Sequence, residues 1–342
     1  MEILDPTKIP NWDEMLLNTP GYSFFHSKAW ARCLMDSYGY RPLYFASLNG
    51  SSFQTLIPFM EVRNLLNVPR GVSLPFTDYC EPIHSGGDLL APIVDQIYEY
   101  GKKAGWKNYE LRKKSSNSEG NPVATVFKGH TVDLSGGTKN TYKGFSGSTR
   151  RNIRKAVKEG VNTVRCQSWE GIEKYYALHC LTRKEHGIPP QPIFFFRKIY
   201  ENIIGCGLGS VFIASYGGKA IGAAVFFHLG AESVFKYGAY DRRYQKLRPN
   251  NLVMWEGIKW YSENGYRSLC LGRTDPDDIG LIRFKDGWGA EQKEIRYYRY
   301  DYAKGGFINA CPMTSKLPAR ILRQMPHSVL RLIGRIFYKY SG

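Results

Sequence analysis

Arg150, Arg151, Arg154, Lys155 and Lys158 stand within nine residues of one another, and only Glu159 offsets them. Guanidinium groups present rigid forks of donors that match phosphate oxygens two at a time, so this segment is suited to phosphate chemistry. A plain solvated helix face is the alternative. A second anion site is expected where Pro249-Asn250-Asn251 opens a helix, because first-turn amides and the helix dipole favour negative charge there. Other chemistries lack their residues. There is no G-x-S-x-G elbow, no H-E-x-x-H pair and no Cys–His constellation. The seven cysteines are scattered and never form C-x-x-C, so neither a disulfide framework nor a zinc site is expected, and no metal ligands are assigned.

The elements that position these residues follow from apolar spacing and punctuation. Ser148 or Thr149 is expected to cap the basic helix, Ile153, Ala156 and Val157 to form its inner seam, and Gly160 to stop it. Val161–Cys166 reads as a strand, and Trp169–Glu185 and Ile193–Ile204 as helices. Val211–Tyr216, Ala220–His228 and Ser233–Tyr240 then read as a meander across glycine turns. The helix after Pro249 carries Leu252, Trp255, Ile258 and Trp260 at helical spacing, with Asn250-Asn251 as its expected cap and Gly265 as its end. Tyr266–Leu271 is a strand, and Ile282–Lys285, beyond the acidic loop Asp275–Asp278, is read as one more.

The first half has the same order. A helix capped by Ser27 and ended by Gly39 precedes strands Pro42–Leu48 and Phe53–Val62, a helix from about Asp88 to Lys103, and strands Trp106–Leu111 and Ala124–Leu134. Tyr44-Phe45-Ala46-Ser47 matches Phe212-Ile213-Ala214-Ser215 at an offset of 168, and Gly105-Trp106-Lys107 matches Gly265-Tyr266-Arg267 at 160. Agreement of order at nearly equal offsets predicts a duplicated α/β unit. Expected boundaries are 1–144, a linking helix over 145–160, 161–303, and a tail over 304–342. A chain of 342 residues with a formal charge of +17 supports two cores and polyanionic company.

The order strand, two helices, three meander strands, helix, strand, strand is that of the GNAT acyltransferase fold. Arg150–Ala156 with Glu159-Gly160-Val161, Tyr237-Gly238-Ala239-Tyr240-Asp241, Pro249-Asn250-Asn251-Leu252, and Phe284-Lys285 with Gly287-Trp288-Gly289 resemble the FemAB-like branch of that superfamily. Phe25-His26-Ser27 with Trp30, and Pro75–Tyr79, are similar to relatives associated with exopolysaccharide systems. The resemblance implies an α/β (α+β) protein of tandem GNAT-like domains, each a mixed sheet flanked by helices, with a groove between them. It implies transfer of an aminoacyl or acyl group onto an amine of a cell-envelope or polysaccharide precursor. The donor would be aminoacyl-tRNA or acyl-CoA, with no bound cofactor. The thioester enzymes commonly carry an Arg/Gln-x-x-Gly-x-Gly/Ala loop, whereas Gln245–Asn251 lacks the glycines, which favours the aminoacyl-tRNA mode modestly.

Transfer to an amine needs a polarised carbonyl and close alignment rather than a covalent nucleophile. The amides of Tyr237–Tyr240 are placed near the carbonyl, with Tyr237 as a further donor and Asp78 or Asp241 as base. Trp30, Arg150, Arg151, Arg154, Arg248, Asn250, Asn251, Arg273 and Lys285 are assigned to substrate binding. His179 and His228 read as core imidazoles. From Tyr302 onward there is no acidic residue, and Lys316, Arg320, Arg323, His327, Arg331, Arg335 and Lys339 alternate with apolar residues in two helices broken at Pro326. That pattern fits either packing on the body or an anionic membrane surface. No apolar run is long enough to span a bilayer, so the expected location is cytoplasmic and peripheral on the inner face of the membrane. A non-catalytic RNA-binding module is the rival reading of the basic surface.

Overall fold

The computed structural model describes residues 2–84, 90–114, 121–309, 319–340 and 342. The expected helix start at Asp88, together with Cys311, Lys316 and Leu317, lies outside them. The chain divides into two compact units, Met1–Lys128 with Lys293–Pro312 and Lys339–Gly342, and Gly129–Gln292 with Met313–Tyr338. Each has a GNAT-like mixed sheet flanked by helices. The basic helix lies within the second unit rather than linking the two, and residues 129–144 go with it.

In the first unit β1 (Glu2–Leu4) and helices α1 (Trp12–Leu17) and α2 (Lys28–Tyr38) precede strands β2 (Arg41–Asn49), β3 (Ser52–Arg63), β4 (Pro69–Val72) and β5 (Ile83–His84). Ser27 caps α2 by accepting from the Trp30 amide, and Gly39 ends it in the left-handed region, as its sequence predicts. Strands β1 to β4 are antiparallel neighbours. After α3 (Leu90–Lys103) the chain enters β6 (Asn108–Lys114), which lies parallel to β4 at Gly71–Tyr109 and Val72–Glu110. Leu43, Phe45, Ile57, Phe59, Ile93, Ile97 and Trp106 form the core here. Trp30 is fully buried against Phe24 and Phe25, so its expected role in substrate binding is replaced by one in packing.

Strand β7 (Thr125–Asp133) leads into the second unit, where α4 (Gly137–Gly144) and α5 (Gly147–Lys158) precede β8 (Asn162–Cys166), α6 (Trp169–Glu185) and α7 (Ile193–Ile199). The cap of α5 is Ser146, accepting from the Thr149 amide at 3.2 Å, ahead of the expected Ser148 or Thr149. Ile153 and Ala156 are buried, but Val157 is 60 % exposed and does not belong to the seam. Strands β9 (Gly209–Tyr216), β10 (Lys219–Leu229) and β11 (Glu232–Tyr240) form the predicted meander. Helix α8 (Pro249–Glu263) then returns the chain to β12 (Ser268–Thr274), parallel to β11. The duplicated order is therefore present, since each unit runs antiparallel strands, a helix and a parallel strand through the two matched segments.

Two expectations fail at the end of this run. Ile282–Lys285 is helical, within α9 (Ile279–Asp286), because Asp278 accepts from the Leu281 amide and starts a turn. The strand that follows is β13 (Glu291–Asp301), which pairs antiparallel with β6 and with β14 (Gly306–Ile308) in the first unit. Helices α10 (Ala319–Gln324) and α11 (His327–Phe337), split at Pro326, complete the second unit. Its core gathers Ile153, Ala156, Phe226, Leu252, Ile258, Tyr261 and Trp288.

Candidate active site

The site is built where β11 and β12 part. They are paired at three positions, Glu232–Ser268, Ser233–Leu269 and Val234–Cys270, and from Phe235 and Leu271 onward they are no longer partners. On its other edge β11 keeps its partner β10 with a register shift, Val225 facing Tyr237 but Phe226 facing Phe235, which makes Lys236 an extra bulged residue. A bulge turns the strand and re-aims its amides. The segment Lys236–Ala239 thus lies on an edge with no strand beside it, where backbone donors could serve an oxyanion, whereas the Tyr240 amide donates to Thr182 Oγ1 of α6 at 3.0 Å.

Lys285 of α9 grips the end of β12. It is 4 % exposed, and its Nζ donates to Gly272 O at 3.0 Å and Arg273 O at 2.9 Å. Gly272 sits at φ 72°, a conformation that suits glycine and orients these carbonyls at the end of β12. A buried ammonium is tolerated only when hydrogen-bonded, so these contacts fix a positive charge there. Arg273 contributes its carbonyl to that grip. The loop beyond α9 is also tied down, because the Ser146 amide donates to Gly287 O at 3.0 Å and Trp288 packs at 5.0 Å on Phe145. The amino end of α5 therefore sits beside the lysine's own helix.

Arg248, Asn250 and Asn251 come to the same end of the strands. Arg248, not an asparagine, occupies the cap of α8, at φ 59°. A Cβ on Gly222 would lie 2.9 Å from Pro249 Cβ and 3.6 Å from Asn250 Oδ1, and Gly222 pairs with Tyr240. The helix start thus abuts the last residue of β11. As a phosphate cradle it is poor. Pro249 has no amide to offer, and the amides of Asn251 and Leu252 both donate to Arg248 O.

The expected bases fare differently. The Asp241 carboxylate is buried and accepts from Arg243 Nε at 2.9 Å and Nη2 at 2.6 Å. These bonds hold its pKa below the usual carboxylate range, which makes it a weaker base. It caps the turn Arg242–Leu247, so Asp241 positions the loop before α8. Asp241→Asn should keep turnover within about tenfold of the parent; a steady-state loss of several hundredfold would restore it as a base. Asp78 lies in the first unit, in a loop where Leu74 and Phe76 both take positive φ. Tyr297 Oη donates to its carbonyl at 2.6 Å.

Tyr237 lies on β11 in an aromatic wall with Phe196 at 5.6 Å and Tyr175 at 6.3 Å. His179, hydrogen-bonded to Tyr175 Oη at 3.1 Å, completes it. Burial pushes its pKa down to about 3, so this imidazole is neutral near pH 7, in line with a core residue. On α5, Arg150 Nη1 donates to Lys143 O at 3.0 Å, while Arg151, Arg154, Lys155 and Lys158 are exposed. Sequence reasoning missed the Lys236 bulge and the lysine–carbonyl grip; a glycine at the end of β12 was the one available signal. Among the described residues, no cluster of metal-ligating side chains occurs.

Comparison with known proteins agrees with this geometry. Residues 143–286 match a family model described as an acetyltransferase (GNAT) domain. Lipid II:glycine glycyltransferase of Staphylococcus haemolyticus is 31% identical over 91 residues, which cover 25% of this chain and 22% of that relative; the match therefore spans about a fifth of the relative's length. Among solved structures, FemX superimposes over 86% of this chain and 97% of its own with a TM-score of 0.66 and 15% identity. L-PGS from Bacillus licheniformis covers 98% and 99% at 0.56 and 15%. A tandem GNAT protein from the clavulanic acid biosynthesis pathway covers 77% and 83% at 0.51 and 11%. At such identities the likeness to these structures is one of fold. Residues 143–286 thus carry a GNAT-type domain, and the chain is similar in fold to FemX and, over a quarter of its length, in sequence to a lipid II:glycine glycyltransferase.

Proposed function

We propose that this chain is an acyltransferase that moves an aminoacyl group from aminoacyl-tRNA onto an amine of a cell-envelope or polysaccharide precursor by direct attack. The observation that carries the reading is the parting of β11 and β12, with a bulge at Lys236 on β11 and the Lys285 ammonium pinned to carbonyls at the end of β12. A neutral amine attacks the ester carbonyl carbon, and the carbonyl electrons move onto oxygen, where amides and a fixed positive charge stabilise them. Collapse breaks the bond to the ribose oxygen, which departs with the proton released by the amine. No covalent enzyme intermediate is needed. Alignment of two bound reactants supplies much of the acceleration.

Two features favour an aminoacyl-tRNA donor over acyl-CoA. The start of α8 offers a pyrophosphate few amides, and the exposed cations of α5 suit a long polyanion. The lipid-linked substrate named for the glycyltransferase relative supports an envelope acceptor. Supplying labelled aminoacyl-tRNA and labelled acyl-CoA in parallel, with envelope extract as acceptor, tests this reading. Label incorporated from aminoacyl-tRNA alone is expected. Incorporation from acyl-CoA alone would make the chain a thioester-dependent N-acyltransferase, and salt-sensitive RNA binding with no turnover would make it a binding module.

A further inference from the structure

Helix α11 is apolar on two faces, and its own unit covers only one. Leu330 and Gly334 point inward; a Cβ on Gly334 would lie 2.0 Å from Pro190 O, so that contact admits no further side chain. Tyr338 Oη donates to Pro189 O at 3.0 Å and fixes the end of the helix. The opposite stripe, Val329, Leu332 and Ile336, is 40%, 56% and 48% exposed, with Phe337 at 47% beside it and Ile321 of α10 also 47% exposed. A helix that merely packs on a body carries polar residues on its outer face. Arg331 and Arg335 flank the stripe one turn apart, and Arg320 and Arg323 extend the charge along α10. Residues 319–340 contain no aspartate or glutamate.

At the amino end of α11 lies a cavity of about 490 Å³ lined by Leu181, Lys184, Glu185, Arg242, Arg323 and His327. Lys184, Arg242 and Arg323 there outnumber the single carboxylate of Glu185, an excess of positive charge that favours an anionic group. Such a cavity beside a cation-bordered apolar stripe is the arrangement of an interfacial helix, which buries apolar side chains at the acyl boundary while its basic residues meet headgroups.

We infer that α10 and α11 form a docking surface for an anionic lipid bilayer, with Val329, Leu332, Ile336 and Phe337 entering the interface and the Lys184–Arg242–Arg323 cavity taking a headgroup phosphate. This rests on surface geometry within one unit and does not depend on the transfer reaction. No helix among the described residues is long and apolar enough to cross a membrane, so the association is peripheral.

The test is co-sedimentation of the full chain with vesicles of phosphatidylcholine alone or with added phosphatidylglycerol. Binding is expected to the anionic vesicles, weakening as salt screens the arginines, with an affinity at least about tenfold lower on neutral ones. Leu332→Asp with Ile336→Asp should abolish binding; both sites are exposed, and an unchanged thermal transition confirms the fold. Lys184→Glu with Arg323→Glu should remove the preference for anionic lipid. Equal binding to both vesicle types, or undiminished binding by the aspartate variant, overturns the proposal. So does concentration-dependent dimerisation that the aspartate variant abolishes, which would make a second copy the occupant.

Discussion

Lys285→Met is expected to lower turnover by about 10²–10³-fold, the usual consequence of removing one oxyanion stabiliser. KM for donor and acceptor should stay within a few-fold, because a charge that acts on the transition state alone lowers kcat and kcat/KM together. Methionine preserves the volume and leaves the Gly272 and Arg273 carbonyls without the two bonds they now accept. Unsatisfied buried carbonyls cost about 1–3 kcal/mol, so a measured loss of that size in chemical denaturation is part of the expected result. Lys285→Arg keeps the charge on a different geometry and should recover part of the rate. Full activity in Lys285→Met, with the same loss of stability, would make the lysine a strut of β12. A rise in donor KM at unchanged kcat would instead assign it to phosphate binding.

The largest stability effect is expected in the first unit, at Glu110. Its carboxylate is buried and accepts from Arg112 Nε at 2.8 Å and Arg299 Nη2 at 2.5 Å, and Arg112 Nη1 continues to Leu74 O and Thr77 O. One carboxylate thus joins β6 to β13 and, through Arg112, to the loop that carries Asp78. Burial alone would raise its pKa, but the two guanidinium groups win and bring it down to about 2. Glu110→Gln keeps the shape, loses the charge and leaves Arg112 buried without a counter-ion, a change that costs about 3–5 kcal/mol. The pH signature follows from linkage. A carboxylate whose folded pKa lies below its unfolded value stabilises the fold fully above the unfolded value of 4.5 and ceases to do so as pH falls towards 2. Urea midpoints of the parent should therefore drop across that window, and the variant should show a flatter dependence. Equal acid sensitivity in both proteins would assign the effect to other carboxylates.

How much of this was legible depends on how local the signal is. Ser27 with Gly39 marks α2, and Trp169–Glu185 is read with its observed bounds, because caps and apolar period sit within the segment itself. The duplicated order was legible for the same reason: Tyr44–Ser47 and Phe212–Ser215 do fall on corresponding strands, β2 and β9. Helix α9 was misread because Asp278 is the last of several aspartates in a loop, and nothing nearby says which one caps. The pairing of β13 with β6 joins residues far apart in sequence, and local pattern carries no such information. The site shows the same divide. Its phosphate-seeking residues are visible as types; the structure sets Asn250 beside Gly222, the partner of Tyr240, and ties Lys285 to the end of β12. Burial of Lys285 is invisible, since a lysine between Phe284 and Asp286 reads as a surface residue. The Asp241–Arg243 fork and the packing of Trp30 are equally hidden, because each depends on what the fold brings alongside.

The most direct test of the account is a crystal structure of the protein with an amide-linked aminoacyl-adenosine, an unreactive stand-in for the charged end of tRNA. The predicted result places its carbonyl in the opening between Lys236–Ala239 and Gly272–Thr274, with the oxygen about 3 Å from a β11 amide and on the side of the Lys285 ammonium. An analogue bound outside that opening, or an occupied structure in which β11 and β12 pair along their full length, would contradict it.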